Sequence, residues 1–386
     1  MRPIPSVWFL SLLTLVTAIA ALFSQAETIF QRPISFPHPD VDNHLSATSI
    51  SPSLFTDIER LARLVDITYC VGTSGIYQPF TCASRCKEFP NVRLASTWNT
   101  GVLLSDSCGY VAVDDGAGDG EEKPAIIVAF RGTYSLANTV VDLSTVPQKY
   151  VPYPDPGDSG NKKTGPGTEQ KCDNCTVHMG FLESWRQARR LVLPVLKNVR
   201  ATHPGYPIRI VGHSLGGSVA CLAALELKLA LGWDDVTVTT FGEPQLGNAG
   251  FVDFVDKVFG LADEDGQDLD LEKRTYRRVT HVDDPVPLLP LSEWGYRSHG
   301  GEVFITKQHL SPGLEDLRLC KGDEDPTCIA GSDEGLLGIP SRLKLWQLLF
   351  AHRDYFWRLG LCVPGGDPSD WGRPPYNVSD GRPDEL

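Results

Sequence analysis

Ser214 stands in Gly212-His213-Ser214-Leu215-Gly216, a G-x-S-x-G pattern between the apolar run Ile208-Arg209-Ile210-Val211 and a helical stretch. A serine on a sharp strand-to-helix turn exposes its Oγ as a nucleophile, and side chains at the flanking positions would collide with strand or helix. Gly212 and Gly216 meet that demand, while Gly217 and Ala220 let the helix pack close. A nucleophilic serine needs a base, and the base needs a carboxylate to orient it. In this setting the chain order is serine, acid, histidine. Three histidines follow the strand expected to end near His281, namely His299, His309 and His352. The acid candidates are Asp283 and Asp284 in Thr280-His281-Val282-Asp283-Asp284-Pro285, and spacing alone does not separate them. A carboxylate just past a strand's C-terminal edge lies on the rim where open α/β sheets bind ligands. The developing oxyanion needs donors as well. Leu215, directly after the nucleophile, offers a backbone N–H, and Thr133, at the end of Phe130-Arg131-Gly132-Thr133, offers an N–H and a hydroxyl.

These residues require an alternating frame of strands and helices. Apolar spacing predicts helices over 53–69, with Ser53 as a cap, and over 181–199, 215–231, 250–259 and 341–357. Strand-like runs fall at 101–104, 110–113, 125–130, 207–211, 236–241, 275–280 and 301–306. Strands alternating with helices point to one α/β domain with a mostly parallel sheet flanked by helices. Residues 147–171, rich in Pro, Gly, Lys and Asp, are expected to form an exposed excursion.

Composition sets the boundaries. Hydrophobic residues make up 41% of the 386 and charged residues 22%, which is globular usage. The 35 basic residues against 48 acidic ones leave a net charge of −13, so no nucleic-acid partner is expected. Arg2, the uncharged run 7–22 and Ser24-Gln25-Ala26 predict a signal peptide over 1–26. That run falls short of about 20 apolar residues, so no stable membrane span is expected. Residues 27–50 read as an arm, 51–362 as the catalytic domain, and 363–386 as a disordered tail. A secreted, extracellular chain meets an oxidising compartment, with the ER lumen a lesser alternative because Pro383-Asp384-Glu385-Leu386 lacks the first residue of a retention signal. Disulfides are then expected among Cys70, Cys82, Cys86, Cys172, Cys175, Cys320, Cys328 and Cys362. Cys172 and Cys175 lie in a Gly/Pro/Lys-rich loop, which favours a local bridge over a zinc half-site or a redox pair. Cys221 reads as a small buried hydrophobe, and Cys108 receives no role. Asn377-Val378-Ser379 is a glycosylation candidate, and Asn174-Cys175-Thr176 an awkward one because its middle residue is expected in a bridge.

From about Tyr69 to Cys362 the chain resembles the fungal class 3 lipases. The resemblance rests on Ala129-Phe130-Arg131-Gly132-Thr133, Val177-His178-Met179-Gly180-Phe181, Gly212 through Gly217, Phe241-Gly242-Glu243-Pro244, Thr280 through Pro287, and Ala351-His352. It implies an α/β-hydrolase fold with a short helical lid and a serine esterase acting on fatty-acyl esters of glycerol, tri- or diacylglycerols. It implies Ser214 as nucleophile, Asp284 rather than Asp283 as acid, His352 as base, and Thr133 with Leu215 as the oxyanion hole. His299 matches a family position outside the triad, and His309 matches none. Bridges Cys70–Cys362, Cys82–Cys86 and Cys172–Cys175 follow, with Cys320–Cys328 an additional local loop. The family's lid falls at 134–143, where Leu136, Val140 and Leu143 would share a face suited to the acyl groove or to transient contact with a lipid interface. Thr139 replaces the Trp of well-known members, which argues against strong interfacial activation. Glu243 replaces a small residue, and the 147–171 excursion is long for the family. No metal or organic cofactor is implied, and a monomer is expected. The rival readings are a feruloyl or other polar-substrate esterase on the same fold and an inactive binding protein, which should lack a triad member.

Overall fold

The computed structural model describes residues 48–101, 106–117, 123–133, 147–152, 171–261, 270–332, 350–368 and 371. All of these belong to one compact unit, 46–386. The expected signal peptide lies outside the described residues, as do Asn377, most of the arm and residues 153–170 of the 147–171 excursion.

Among the described residues nine strands form the main sheet: β1 (Thr48–Ser49), β4 (Val92–Asn99), β5 (Cys108–Asp114), β6 (Ala125–Phe130), β9 (Ile208–His213), β10 (Val236–Phe241), β11 (Tyr276–His281), β12 (Glu302–Ile305) and β13 (Leu317–Leu319). Their order is β1-β13-β12-β11-β10-β9-β6-β5-β4. The inner five strands, β6 to β12, pair in parallel, and the outer ones are antiparallel. Two short antiparallel pairs, β2 (Ile76–Tyr77) with β3 (Thr81–Cys82) and β7 (Pro147–Lys149) with β8 (Thr176–His178), lie outside it.

Burial explains the layering. Every residue of β6 is buried, as a strand covered on both faces requires. Its side chains alternate between two cores. Ile126, Val128 and Phe130 join the helices α2 (Met179–Thr202), α3 (Leu215–Leu229) and α4 (Ala249–Phe259). Ile127 and Ala129 join α1 (Pro52–Ile67) on the opposite face. In α3 every residue but Lys228 is buried, so the helix is apolar nearly all round and sits inside the domain. The local signals act as expected of caps: Asn248 caps α4 through Phe251 N–H at 3.2 Å, and Gly260 ends it at φ 63°.

Several expectations need correction. The cap of α1 is Ser51, not Ser53, because Pro52 fixes the first helical position and Ser51 Oγ accepts from Leu54 N–H. The end of the arm is not loose: Thr48 and Ser49 pair with Leu319 and Arg318, and Ile50 is buried. The start of the tail is ordered too, since Asp367 is buried and bonds Arg353 at 3.0 Å. The strand expected at 101–104 does not include Gly101, and 102–105 lie outside the described residues; the strand is β4, just before it. A register shift between Leu94 and Ser96 interrupts its alternation, which conceals it. The helix expected over 341–357 does not run through its described end. Ala351–Arg353 is a single 3-10 turn, and Tyr355, Phe356 and Trp357 are all buried, which one helical face cannot achieve.

Four disulfides are formed: Cys70–Cys362, Cys82–Cys86, Cys172–Cys175 and Cys320–Cys328, while Cys108 and Cys221 are free and buried. Cys70–Cys362 spans a sequence separation of 292. Closing so long a loop stabilises by about 5 kcal/mol in the chain-entropy model. Replacing both cysteines by serine should therefore lower Tm by about 10 °C or more in calorimetry; an unchanged Tm would contradict this.

Candidate active site

The turn between β9 and α3 holds Ser214 at φ 57° and ψ −132°, a left-handed conformation costly for any residue with a Cβ. Its neighbours leave no alternative. A Cβ on Gly212 would lie 2.3 Å from the Gly216 carbonyl oxygen, and one on Gly216 would lie 2.5 Å from that of Phe130. The glycines thus let the end of β6, the turn and the first turn of α3 touch through bare backbone. Leu215 opens α3, so its N–H is among the first four that a helix leaves without an internal partner. Thr133 follows Gly132, on which a Cβ would sit 2.8 Å from Ser214 Cβ, so the loop carrying Thr133 lies against the serine.

Asp284 projects from the turn after β11 and is buried, as is His352. His352 Nδ1 lies 2.8 Å from Asp284 Oδ2 and 3.0 Å from Oδ1. Val286 N–H donates to Oδ1 at 2.9 Å and the Tyr355 hydroxyl to Oδ2 at 2.5 Å. Burial pushes the Asp284 carboxyl up, but His352 and these hydrogen bonds outweigh it and hold it below the ordinary range. An ionised Asp284 requires the proton on His352 Nδ1, which leaves a lone pair on Nε2. Among the described residues His352 Nε2 and Ser214 Oγ are both buried without a hydrogen-bond partner. They belong to adjoining pieces of chain, since His213, next to Ser214, stacks on His352 with ring centroids 4.8 Å apart.

The other candidates lie elsewhere. Asp283 is half-buried, whereas its neighbour Asp284 is the one that holds His352 Nδ1, and His309 is exposed. His299 is buried and pairs with Glu243, 3.1 Å from Nε2 to Oε1. Glu243 is therefore enclosed behind α3, where the Tyr276 hydroxyl donates to its Oε2 at 2.9 Å and Gly217 lies against it. Cys221 shares this cluster. The lid residues Leu136, Val140 and Leu143, and Thr139, lie outside the described residues. Sequence reasoning missed Tyr355, which donates to the acid, and Gly242, whose φ of 60° lets β10 end against His352. A Cβ on Gly242 would lie 2.8 Å from His352 Cε1 and 2.9 Å from Asp284 Oδ2. Both stand in segments already singled out, Tyr355 three residues past His352 and Gly242 in Phe241-Gly242-Glu243-Pro244.

A serine on a strained strand–helix turn, beside an acid–imidazole pair at the C-terminal edge of a parallel sheet, defines the serine hydrolases of the α/β-hydrolase fold. Comparison with known proteins narrows this class. The family described as "Lipase (class 3)" matches residues 127–294. A secreted mono- and diacylglycerol lipase of Gibberella zeae is 59% identical over 361 residues, 86% of this chain and 87% of that one. Lipase A of Sodiomyces alcalophilus is 57% identical over 84% of this chain and 86% of its own. The crystal structure of the Lip2 lipase from Yarrowia lipolytica matches with a TM-score of 0.67 and 33% identity, covering 82% of this chain and 98% of the other. The chain belongs to the class 3 lipase family and is a secreted carboxylic ester hydrolase. Among the described residues no helix is long and apolar enough to cross a membrane.

The Glu243–His299 pair carries a pH dependence. Burial raises the Glu243 carboxyl, but the His299 and Arg278 charges and its hydrogen bonds pull it below the ordinary value of 4.5. A carboxyl depressed by folding stabilises the fold above its unfolded pKa and loses that contribution as pH falls through the folded value. Breaking such a buried pair costs about 3 kcal/mol. The Tm deficit of Glu243→Gln should be wider above about pH 5 than below the ordinary carboxyl range, shrinking as pH falls; a deficit independent of pH would contradict the assignment.

Proposed function

We propose that the chain hydrolyses fatty-acyl esters of glycerol through an acyl-enzyme on Ser214. The observation that carries this reading is His352, held at Nδ1 by a buried, ionised Asp284, with its Nε2 and the Ser214 Oγ both unpartnered. His352 Nε2 takes the Ser214 proton as Oγ attacks the ester carbonyl. Asp284 fixes the ring and stabilises its positive form, and the oxyanion rests on the N–H groups of Leu215 and Thr133 and the Thr133 hydroxyl. His352 then protonates the departing glyceride oxygen, and the same ring activates the water that releases the fatty acid. The name of the Gibberella zeae relative, at 59% identity, supports mono- and diacylglycerols as the substrates.

The remaining features belong to the same reading. The signal peptide occupies 1–26, and the catalytic domain runs from 48 to 368, wider at both ends than 51–362. Asn377 carries a glycan, and the enzyme acts as a monomer that meets lipid surfaces transiently.

Ser214→Ala should fold as the parent does, by circular dichroism and Tm, and lose diolein hydrolysis by about four orders of magnitude or more. Turnover near the parent rate in that variant would refute the assignment.

A further inference from the structure

One short segment reaches both halves of the site without taking part in the chemistry described above. Helix α1 runs into a 3-10 turn, Thr68–Cys70. Before Cys70, the Tyr69 hydroxyl lies 2.5 Å from His213 Nδ1, and His213 Nε2 lies 2.8 Å from the main-chain carbonyl of His352. After Cys70, the Val71 carbonyl accepts from Arg131 Nη1 at 2.6 Å, and Arg131 Nε donates at 3.1 Å to the carbonyl of Gly132, the residue before Thr133. Tyr69, His213 and Arg131 are all buried. The Cys70–Cys362 bridge ties the segment to the chain end that carries His352.

The protons in this relay follow from its partners. A carbonyl only accepts, so His213 Nε2 carries the hydrogen. With the ring uncharged, Nδ1 keeps the lone pair and accepts the Tyr69 hydroxyl. Burial, with His352 beside it, holds the His213 pKa down at about 3, while Asp284 and Arg353 act on it in opposite senses. Neutrality has a catalytic use. The two imidazoles stack 4.8 Å apart, and His352 becomes positive when it takes the serine proton. A second positive ring at that distance would oppose the charge.

We propose that Tyr69 and His213 are positioning residues: the Tyr69 hydroxyl holds His213 as the neutral Nε2–H tautomer, and His213 holds the His352 main chain so that its ring faces Ser214. The proposal rests on the triad reading above. Through Val71 and Arg131 the same segment braces the loop that carries Thr133, so base and oxyanion donors share one support.

Tyr69→Phe keeps the ring and removes the hydroxyl, which donates to His213 and also meets the Gly132 main chain. On a soluble short-chain nitrophenyl ester, kcat per site titrated with an organophosphonate should fall about tenfold, the rate equivalent of one buried hydrogen bond, with KM unchanged. His213→Gln can still donate to the His352 carbonyl and accept from Tyr69, so it should keep kcat within about threefold of the parent, while His213→Leu should lose at least as much as Tyr69→Phe. Parent kcat in Tyr69→Phe, a deficit confined to KM or to the titre, or His213→Gln as impaired as His213→Leu would each overturn the proposal. Ser214→Ala, assayed alongside, keeps the two readings apart. Turnover in that variant defeats the triad itself, whereas an inactive Ser214→Ala beside a fully active Tyr69→Phe defeats only the positioning role.

Discussion

The backbone of Ser214 is held at φ 57° between a strand and a helix, and that single strained residue sets the terms for its surroundings. A side chain in the left-handed region costs about 1–3 kcal/mol and persists only where neighbouring structure over-determines it. Here the over-determination is steric. Gly212 and Gly216 leave room for nothing but backbone, Gly132 brings the loop of Thr133 against the serine, and Gly217 seats α3 on Glu243. The parallel registers of β6 with β9 and of β9 with β10 anchor the turn from both sides. In exchange for the strain, the serine Oγ and the first N–H groups of a helix stand at one place.

The remaining groups come from distant parts of the chain, and hydrogen bonds rather than proximity in sequence align them. Asp284 is fixed by Val286 N–H, Tyr355 and His352, so its orientation does not depend on substrate. His352 lies in a turn rather than a long helix and is held from two directions, by Asp284 at its ring and by His213 at its carbonyl. The disulfide from Cys70 to Cys362 closes the circuit between the first helix and the segment bearing His352.

Much of this was legible in the residues. The runs 125–130 and 236–241 stand as strands β6 and β10 at the boundaries read from β-branched and apolar residues, and the strand–glycine–serine–glycine–helix order located the turn. Spacing could not choose between Asp283 and Asp284, since both precede Pro285 and only the fold shows which one faces His352. It also could not place Glu243, which depends on His299 from a loop 56 residues away. Edge strands were the weakest point. β4 is diluted by Ala95, Ser96 and Thr97 and broken by a bulge, and β1 contributes two residues, so neither leaves a periodic signal. The 350–357 segment misled because its apolar residues have helical spacing, yet three consecutive aromatic side chains are buried by a chain that bends instead.

The assignment of Ser214 is tested most directly by covalent labelling. The protein should be inactivated by a nitrophenyl organophosphate, and its peptides then mapped by mass spectrometry. A single adduct on the peptide bearing Gly212-His213-Ser214-Leu215-Gly216, rising in step with loss of esterase activity, is the expected result. Inactivation with that peptide unmodified, or complete labelling with activity retained, would contradict it.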